Sequence, residues 1–216
     1  MKKDYKPFLW ALYCASIIAM NVLAAKQIDI LGFTVTCGVF VSGFTFWSQD
    51  VVTEIYGIKE SKKMVLSCYL MSLCMTLLYQ VAIFVPASQF WNMQEAFTSV
   101  LRTTFRITVA SFIAYSVGSL VNISIMDVLK KRYPKSLFVR AIGSTIVGQL
   151  LDNGLFAFIA FLGILPVSAI ISMMVGGTLV EVITELIFYP ILKPSIKLLK
   201  RSEMNGERTE LKTERT

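Results

Sequence analysis

Five carboxylates stand within or at the edge of apolar runs of this chain, and they limit the chemistry it can do. Asp50 and Glu54 close an apolar run that begins at Leu31, and their i, i+4 spacing puts both on one helix face. Asp152 sits near the centre of an otherwise uncharged run, Ala141 to Gly163, beside Gln149, Asn153 and Phe156. Glu181 and Glu185 follow on one face, with Gly176 and Gly177 one turn earlier. An ionisable group at bilayer depth costs on the order of 2.5 to 3.5 kcal/mol, so it normally faces a wet or protein-lined cavity. No apolar run holds a Lys or Arg to pair with Asp152, although Arg140 stands at a boundary. Ser111, Tyr115, Gly118 and Asn122 form a further polar stripe at helical spacing. A cavity of this make-up suits a flat, nitrogen-rich ring. Carboxylates accept its paired N–H donors, amides complement its carbonyl, and Phe46, Trp47 and Phe156 cover its faces. A guanine-like base offers that pattern; a cation fits the same acids.

Composition sets the class. Of 216 residues, 55% are hydrophobic and 16% charged, with a mean hydropathy of +0.65, which describes an integral membrane protein. The net charge of +7 falls in short clusters between apolar runs, a membrane-orientation signal rather than a nucleic-acid stripe. There is no His, which removes His-dependent catalysis, His-ligated haem and the usual zinc sites. The expectation is therefore neither cofactor nor metal. Cys14, Cys37, Cys68 and Cys74 lie in apolar runs without a CxxC pair and read as small hydrophobes. The basic start runs into an apolar stretch that continues to Ala25 without a clear cleavage site, so it reads as a retained first helix.

These residues are positioned by an expected all-α membrane protein of six transmembrane helices. They are placed near Pro7 to Ala25, Leu31 to Val52, Met64 to Val85, Ile107 to Met126, Ala141 to Gly163 and Val167 to Tyr189. None of these runs alternates with period two as a barrel strand does. Lys and Arg residues divide 15 against 3 between alternate loops, which places both termini in the cytoplasm. Residues 1–6 form a cytoplasmic N-terminus, 7–190 the membrane domain, and 191–216 a cytoplasmic tail whose polar end from Ser202 reads as disordered. The loop from Pro86 to Arg106 would be external, with PASQFWNMQEAF lying on the membrane surface as a short helix. Ala110, Ala114 and Gly118 form a small-xxx-small row suited to helix contact. Asn21 precedes Asp50 by 29 positions and Asn122 precedes Asp152 by 30, a spacing that two inverted three-helix halves would give and that coincidence also explains.

The segments SQDVVTEIYG, MNVLAAK, ASFIAYSVG and STIVGQLLDNGLF resemble the queuosine precursor transporter family, also called the VUT family, in order and spacing from about Asn21 to Pro190. The resemblance implies a six-helix protein of the inner membrane, not an enzyme. Its cargo would be a 7-deazaguanine base, such as the 7-cyano or 7-aminomethyl form, or queuine, for tRNA modification. Asn21, Asp50, Glu54, Gly57, Arg140, Gln149 and Asp152 fall on the family pattern. Asn122 stands where members often have Asp, and Glu181 near where many have Lys. The expected binding set is thus Asn21, Phe46, Trp47, Asp50, Glu54, Tyr115, Asn122, Gln149, Asp152, Asn153, Phe156 and Glu181. The partners are the base and the bilayer, with no direct nucleic-acid contact and a homodimer open as an assembly. Two other readings stand beside this one. The chain could be the substrate-binding subunit of a multi-component importer, or an intramembrane aspartyl protease built on Asp50 and Asp152, which lack a GxGD context.

Overall fold

The computed structural model describes residues 5–133 and 137–213; the side chains at 119–120, 122–123, 126–127, 130, 137–145, 185, 189, 193 and 200–213 lie outside that description. Helix α1 spans Lys6–Leu23, with Pro7 in its first turn, where no N–H partner is lost. A hairpin of β1 (Gln27–Ile30) and β2 (Phe33–Thr36) follows, then α2 (Val39–Tyr56), α3 (Ile58–Phe84), α4 (Gln94–Arg132), α5 (Leu137–Phe161) and α6 (Val167–Thr213).

The largest departure from the sequence expectation is the hairpin. The sequence pattern starts the second helix at Leu31, whereas α2 begins only at Val39. Residues 27–36 read QIDI-LG-FTVT, two period-two strands around a two-residue turn, and they pair antiparallel from Gln27 with Thr36 to Ile30 with Phe33. Both turn residues have positive φ, 52° at Leu31 and 83° at Gly32, as the tightest hairpin turns require. Asp29 accepts a hydrogen bond from Thr34 across the ladder at 2.9 Å. Among the described residues the chain is thus helical apart from this short hairpin, consistent with an all-α membrane protein that carries one two-stranded addition.

Other boundaries shift for local reasons. A single residue, Gly57 at φ 86°, joins α2 to α3, so the Lys59 to Lys63 segment is helical instead of a loop. Lys6 pairs with Glu60 at 2.7 Å, which places the start of α1 beside that of α3. The PASQFWNMQEAF segment forms no separate helix. Residues 86–93 are irregular, Trp91 meets Phe97 edge-on with ring centroids 5.7 Å apart, and α4 is already under way at Gln94. At its far end α6 passes Pro190 and Pro194 and continues to Thr213.

Among the described residues, three helices are long and apolar enough to cross a membrane by length and composition: Lys6–Leu23, Ile58–Phe84 and Val167–Leu199. Ile146–Phe161 adds a shorter apolar stretch. Helix α2 is less apolar because Ser42, Thr45, Ser48, Gln49, Asp50 and Thr53 interrupt it, while Phe40 and Phe44 face outward. Large hydrophobics are likewise exposed along α3, including Leu66, Leu70, Leu77, Leu78 and Val81, as a lipid-facing surface demands.

Two apolar clusters hold the helices. One joins Leu9, Tyr13 and Ile17 of α1 to Val51 and Val52 of α2 and to Met64, Val65, Cys68 and Tyr69 of α3. The other joins Ala24, Ile107 and Ala110 to Ala157, Ala160 and Phe161 of α5 and Ile170 and Met173 of α6. Helices α4 and α5 pack most extensively, along the small row: Ala110 and Ala114 are fully buried, and a Cβ on Gly118 would lie 3.0 Å from the Gly148 carbonyl. Arg106 of α4 donates to the Ile159 and Leu162 carbonyls at 2.6 and 2.7 Å and so caps the C-terminal end of α5.

Leu31 is 88% exposed and adopts a conformation that a branched side chain holds at a cost of about 1 kcal/mol. Leu31→Asn, which gives the favoured Asn-Gly turn, raises the thermal midpoint of the detergent-solubilised protein by an increment worth roughly 0.5 to 1 kcal/mol. A lowered midpoint would contradict the turn geometry.

Candidate functional site

All six helices and the hairpin contribute to one cavity, largely apolar in lining but carrying polar side chains from α1, α2, α4, α5 and α6. The space open to the centre of a water molecule is about 100 Å³, enough for several waters or one flat ring. Its α1 wall carries Tyr13 and Asn21, and its α2 wall carries Ser42, Thr45, Phe46 and Gln49, at i, i+3, i+4 and i+7 on one stripe. Tyr69 of α3 and Ser111 and Tyr115 of α4 form an aromatic and hydroxyl side. Asp152, Asn153 and Phe156 enter from α5, and Met173, Gly177 and Glu181 from α6. Val35 and Thr36 of the hairpin cover one end. The hairpin is held there by the Thr34 N–H donating to Ser172 Oγ at 2.8 Å and by Phe33 seated against Gly176, where a Cβ would lie 2.5 Å from Phe33 Cβ.

The polar groups are organised by few bonds. Asn153 Nδ2 donates to Glu181 Oε2 at 2.5 Å and to the Gln149 carbonyl at 3.1 Å. Both partners only accept, which fixes the orientation of the amide and leaves Oδ1 as its remaining valence. That oxygen occupies the place of a side chain on Gly177: a Cβ there would lie 2.5 Å from it. Asn21 donates to Ser72 Oγ at 3.0 Å, and the Tyr69 hydroxyl pairs with Ser111 Oγ at 3.3 Å. Tyr69 also packs against Tyr115, ring centroids 5.6 Å apart. Gly118 lets α4 approach the Asp152 backbone, since a Cβ there would come within 2.9 Å of Asp152 Cβ. Among the described residues no Lys or Arg pairs with Asp152.

Seven of the twelve residues expected from sequence meet in this cavity: Asn21, Phe46, Tyr115, Asp152, Asn153, Phe156 and Glu181. Four stand elsewhere. Trp47 packs against the first apolar cluster, and its indole N–H is buried without an acceptor. Asp50 lies on α2 off the lining stripe, and Glu54 is exposed one turn further on. Gln149 contributes its backbone carbonyl to Asn153 and does not line the cavity. The side chain of Asn122 lies outside the described residues. Sequence reasoning passed over Tyr13, Gln49, Tyr69 and the hairpin; the phase of Ser42, Thr45 and Gln49 was the signal that could have found the α2 wall.

Fold and cavity together define a helical, multi-pass protein of the cell membrane with a partly open chamber, lined by polar and apolar side chains, for a small solute. The chain belongs to the family described as "Putative vitamin uptake transporter", which matches residues 36–193, from the last residue of β2 into the second half of α6. It is 27% identical over 202 residues to the "Probable queuosine precursor transporter" of Bacillus subtilis, covering 92% of this chain and 87% of the relative. It is 25% identical over 159 residues to the "Queuosine precursor transporter" of Escherichia coli, covering 73% of this chain and 70% of that one. A relative in Haemophilus influenzae, also named "Probable queuosine precursor transporter", is 26% identical over 144 residues, covering 67% of this chain and 59% of that protein. No solved structure matches the chain significantly.

Gly177→Ala drives a methyl group into Asn153 Oδ1 and breaks the Asn153 to Glu181 link, at a cost of about 1 to 3 kcal/mol. In an Asn153→Ala background the same change is neutral or stabilising by up to about 1 kcal/mol, because only helix propensity remains. Additive losses in a thermal-unfolding cycle would show that the two residues do not share this space.

Proposed function

We propose that this chain is a carrier, not an enzyme, that imports a queuosine precursor across the cell membrane to supply tRNA modification. The cargo is a 7-deazaguanine base, the 7-cyano or 7-aminomethyl form, or queuine. All six helices cross the bilayer in this reading, with the membrane domain at 7–190 and both termini cytoplasmic, as the 15 to 3 division of basic residues favours. Helices α1–α3 and α4–α6 would form its two inverted halves, joined around the cavity.

The observation that carries the proposal is Asp152. It is a carboxylate on the wall of the chamber, with no basic partner among the described residues, next to an Asn153 amide whose donors are both engaged. The α5 wall therefore offers acceptors, and the adjacent ring N–H and exocyclic amine of a guanine-type ring are matching donors. Phe156, Tyr69 and Tyr115 supply faces for the ring. The names of the relatives agree with this chemistry. The protease reading loses its geometry, because Asp50 does not line the cavity that contains Asp152.

Uptake of a labelled 7-deazaguanine by cells unable to make it tests the proposal. Asp152→Ala reduces uptake by at least about tenfold, the equivalent of one charge-assisted hydrogen bond of roughly 1.5 to 3 kcal/mol, while insertion is retained. Undiminished uptake by the correctly inserted variant removes Asp152 from the site. Uptake by the purified chain alone in proteoliposomes distinguishes a carrier from a subunit that depends on an ATPase.

A further inference from the structure

We propose that Gln49, oriented by Tyr13, reads the carbonyl of the base and so makes the cavity selective for oxo-purine over amino-purine rings. The inference rests on the transport reading above and deepens it, because it assigns a discriminating role to a residue outside the acidic set.

The argument is a count of hydrogen-bond valences on the α2 wall. Ser42 Oγ donates to the Val39 carbonyl at 2.9 Å, and Thr45 Oγ1 donates to the Ser42 carbonyl at 2.6 Å. Each hydroxyl has one hydrogen, so both present only lone pairs to the cavity. Gln49 is different. Its Oε1 accepts a long bond of 3.4 Å from the Tyr13 hydroxyl, which leaves the Nε2 hydrogens without an acceptor among the described residues. The amide is therefore the donor on this wall, while the α5 wall, with Asp152 and the Asn153 oxygen, accepts.

A ligand that satisfies both walls must present donors to one and an acceptor to the other. A guanine-type ring does so with its N–H and amine donors beside a carbonyl. Replacing that carbonyl by an amine sets a donor against the Gln49 donor, and it also turns the adjacent ring N–H into an acceptor facing the Asp152 wall, so both walls are left unmatched, the situation in which polar sites discriminate most strongly. Tyr13 does not touch the ring in this arrangement; it is a positioning residue.

Purified protein in proteoliposomes is assayed with labelled 7-cyano-7-deazaguanine, against unlabelled competitor of the same base or of its analogue with the carbonyl replaced by an amine. The oxo form should compete about 100-fold better with the unaltered protein. Gln49→Glu, which offers an acceptor, should lower the ratio by about tenfold, the remainder being held by the Asp152 wall, and Tyr13→Phe should narrow it in part. Gln49→Met, close in shape and without polar atoms, gives the same loss of discrimination and serves if the Glu variant fails to insert. Equal competition with the unaltered protein overturns the inference, as does a ratio that stays near 100-fold in both Gln49 variants. Absence of uptake of the oxo base by the unaltered protein overturns the transport reading itself, so the two failures are told apart.

Discussion

The arrangement depends on keeping one carboxylate away from lipid. Asp152 lies midway along an apolar helix, and in hydrocarbon it would cost on the order of 2.5 to 3.5 kcal/mol by insertion scales. The surrounding residues remove that cost by forming a chamber on its side of α5. Close approach does part of this: Gly118 brings α4 against the Asp152 backbone, and Ala110 and Ala114 keep the rest of that seam tight. Gly177 does the same on α6, leaving room for Asn153 to reach Glu181. The glycines and alanines therefore serve the site as much as the fold, because they set how near the cavity walls can stand.

The two ends of the cavity are closed by different means. Towards the starts of α1 and α3, nine buried side chains from three helices pack as a continuous apolar cluster. At the other end the cover is a four-residue-per-strand hairpin, fastened to α6 by one hydrogen bond, the Phe33 contact with Gly176 and the burial of Val35. Packed clusters of the first kind shift as rigid bodies between discrete arrangements, whereas a short two-stranded element has little independent stability and depends on what it rests against. A carrier needs to open each end in turn, and these ends call for different motions.

Much of the site was legible in the sequence because charge and amides inside an apolar run have few explanations. Asp152, Asn153, Phe156 and Glu181 could be read that way, and all four line the cavity. Helix α2 misled for a definable reason. Its acids, Asp50 and Glu54, are the conspicuous residues, but the face of a helix is set by phase, and the buried stripe of Ser42, Thr45 and Gln49 points elsewhere than Asp50. Starting that helix at Leu31 hid the phase as well as the hairpin, whose QIDI and FTVT alternation is only four residues per strand and was absorbed into an apolar count. Tyr13 and Tyr69 were missed because a tyrosine in a hydrophobic run looks like core, and both do belong to the apolar cluster while their hydroxyls engage Gln49 and Ser111.

The same bonds explain why such a chamber can be specific. Ser and Thr in a helix readily return their single hydrogen to a carbonyl three or four residues back, as Ser42, Thr45, Ser48, Thr53 and Thr178 do here. Such hydroxyls line a cavity cheaply but have little left with which to demand a partner. In the proposed reading, recognition falls to the groups that cannot satisfy themselves locally: the carboxylate of Asp152, the oxygen of Asn153 once Glu181 and the Gln149 carbonyl have taken its hydrogens, and the amide of Gln49. A few unmet valences of opposite sense, held on separate helices and surrounded by self-satisfied hydroxyls and aromatic faces, would select a ligand by its donor and acceptor pattern instead of by charge alone.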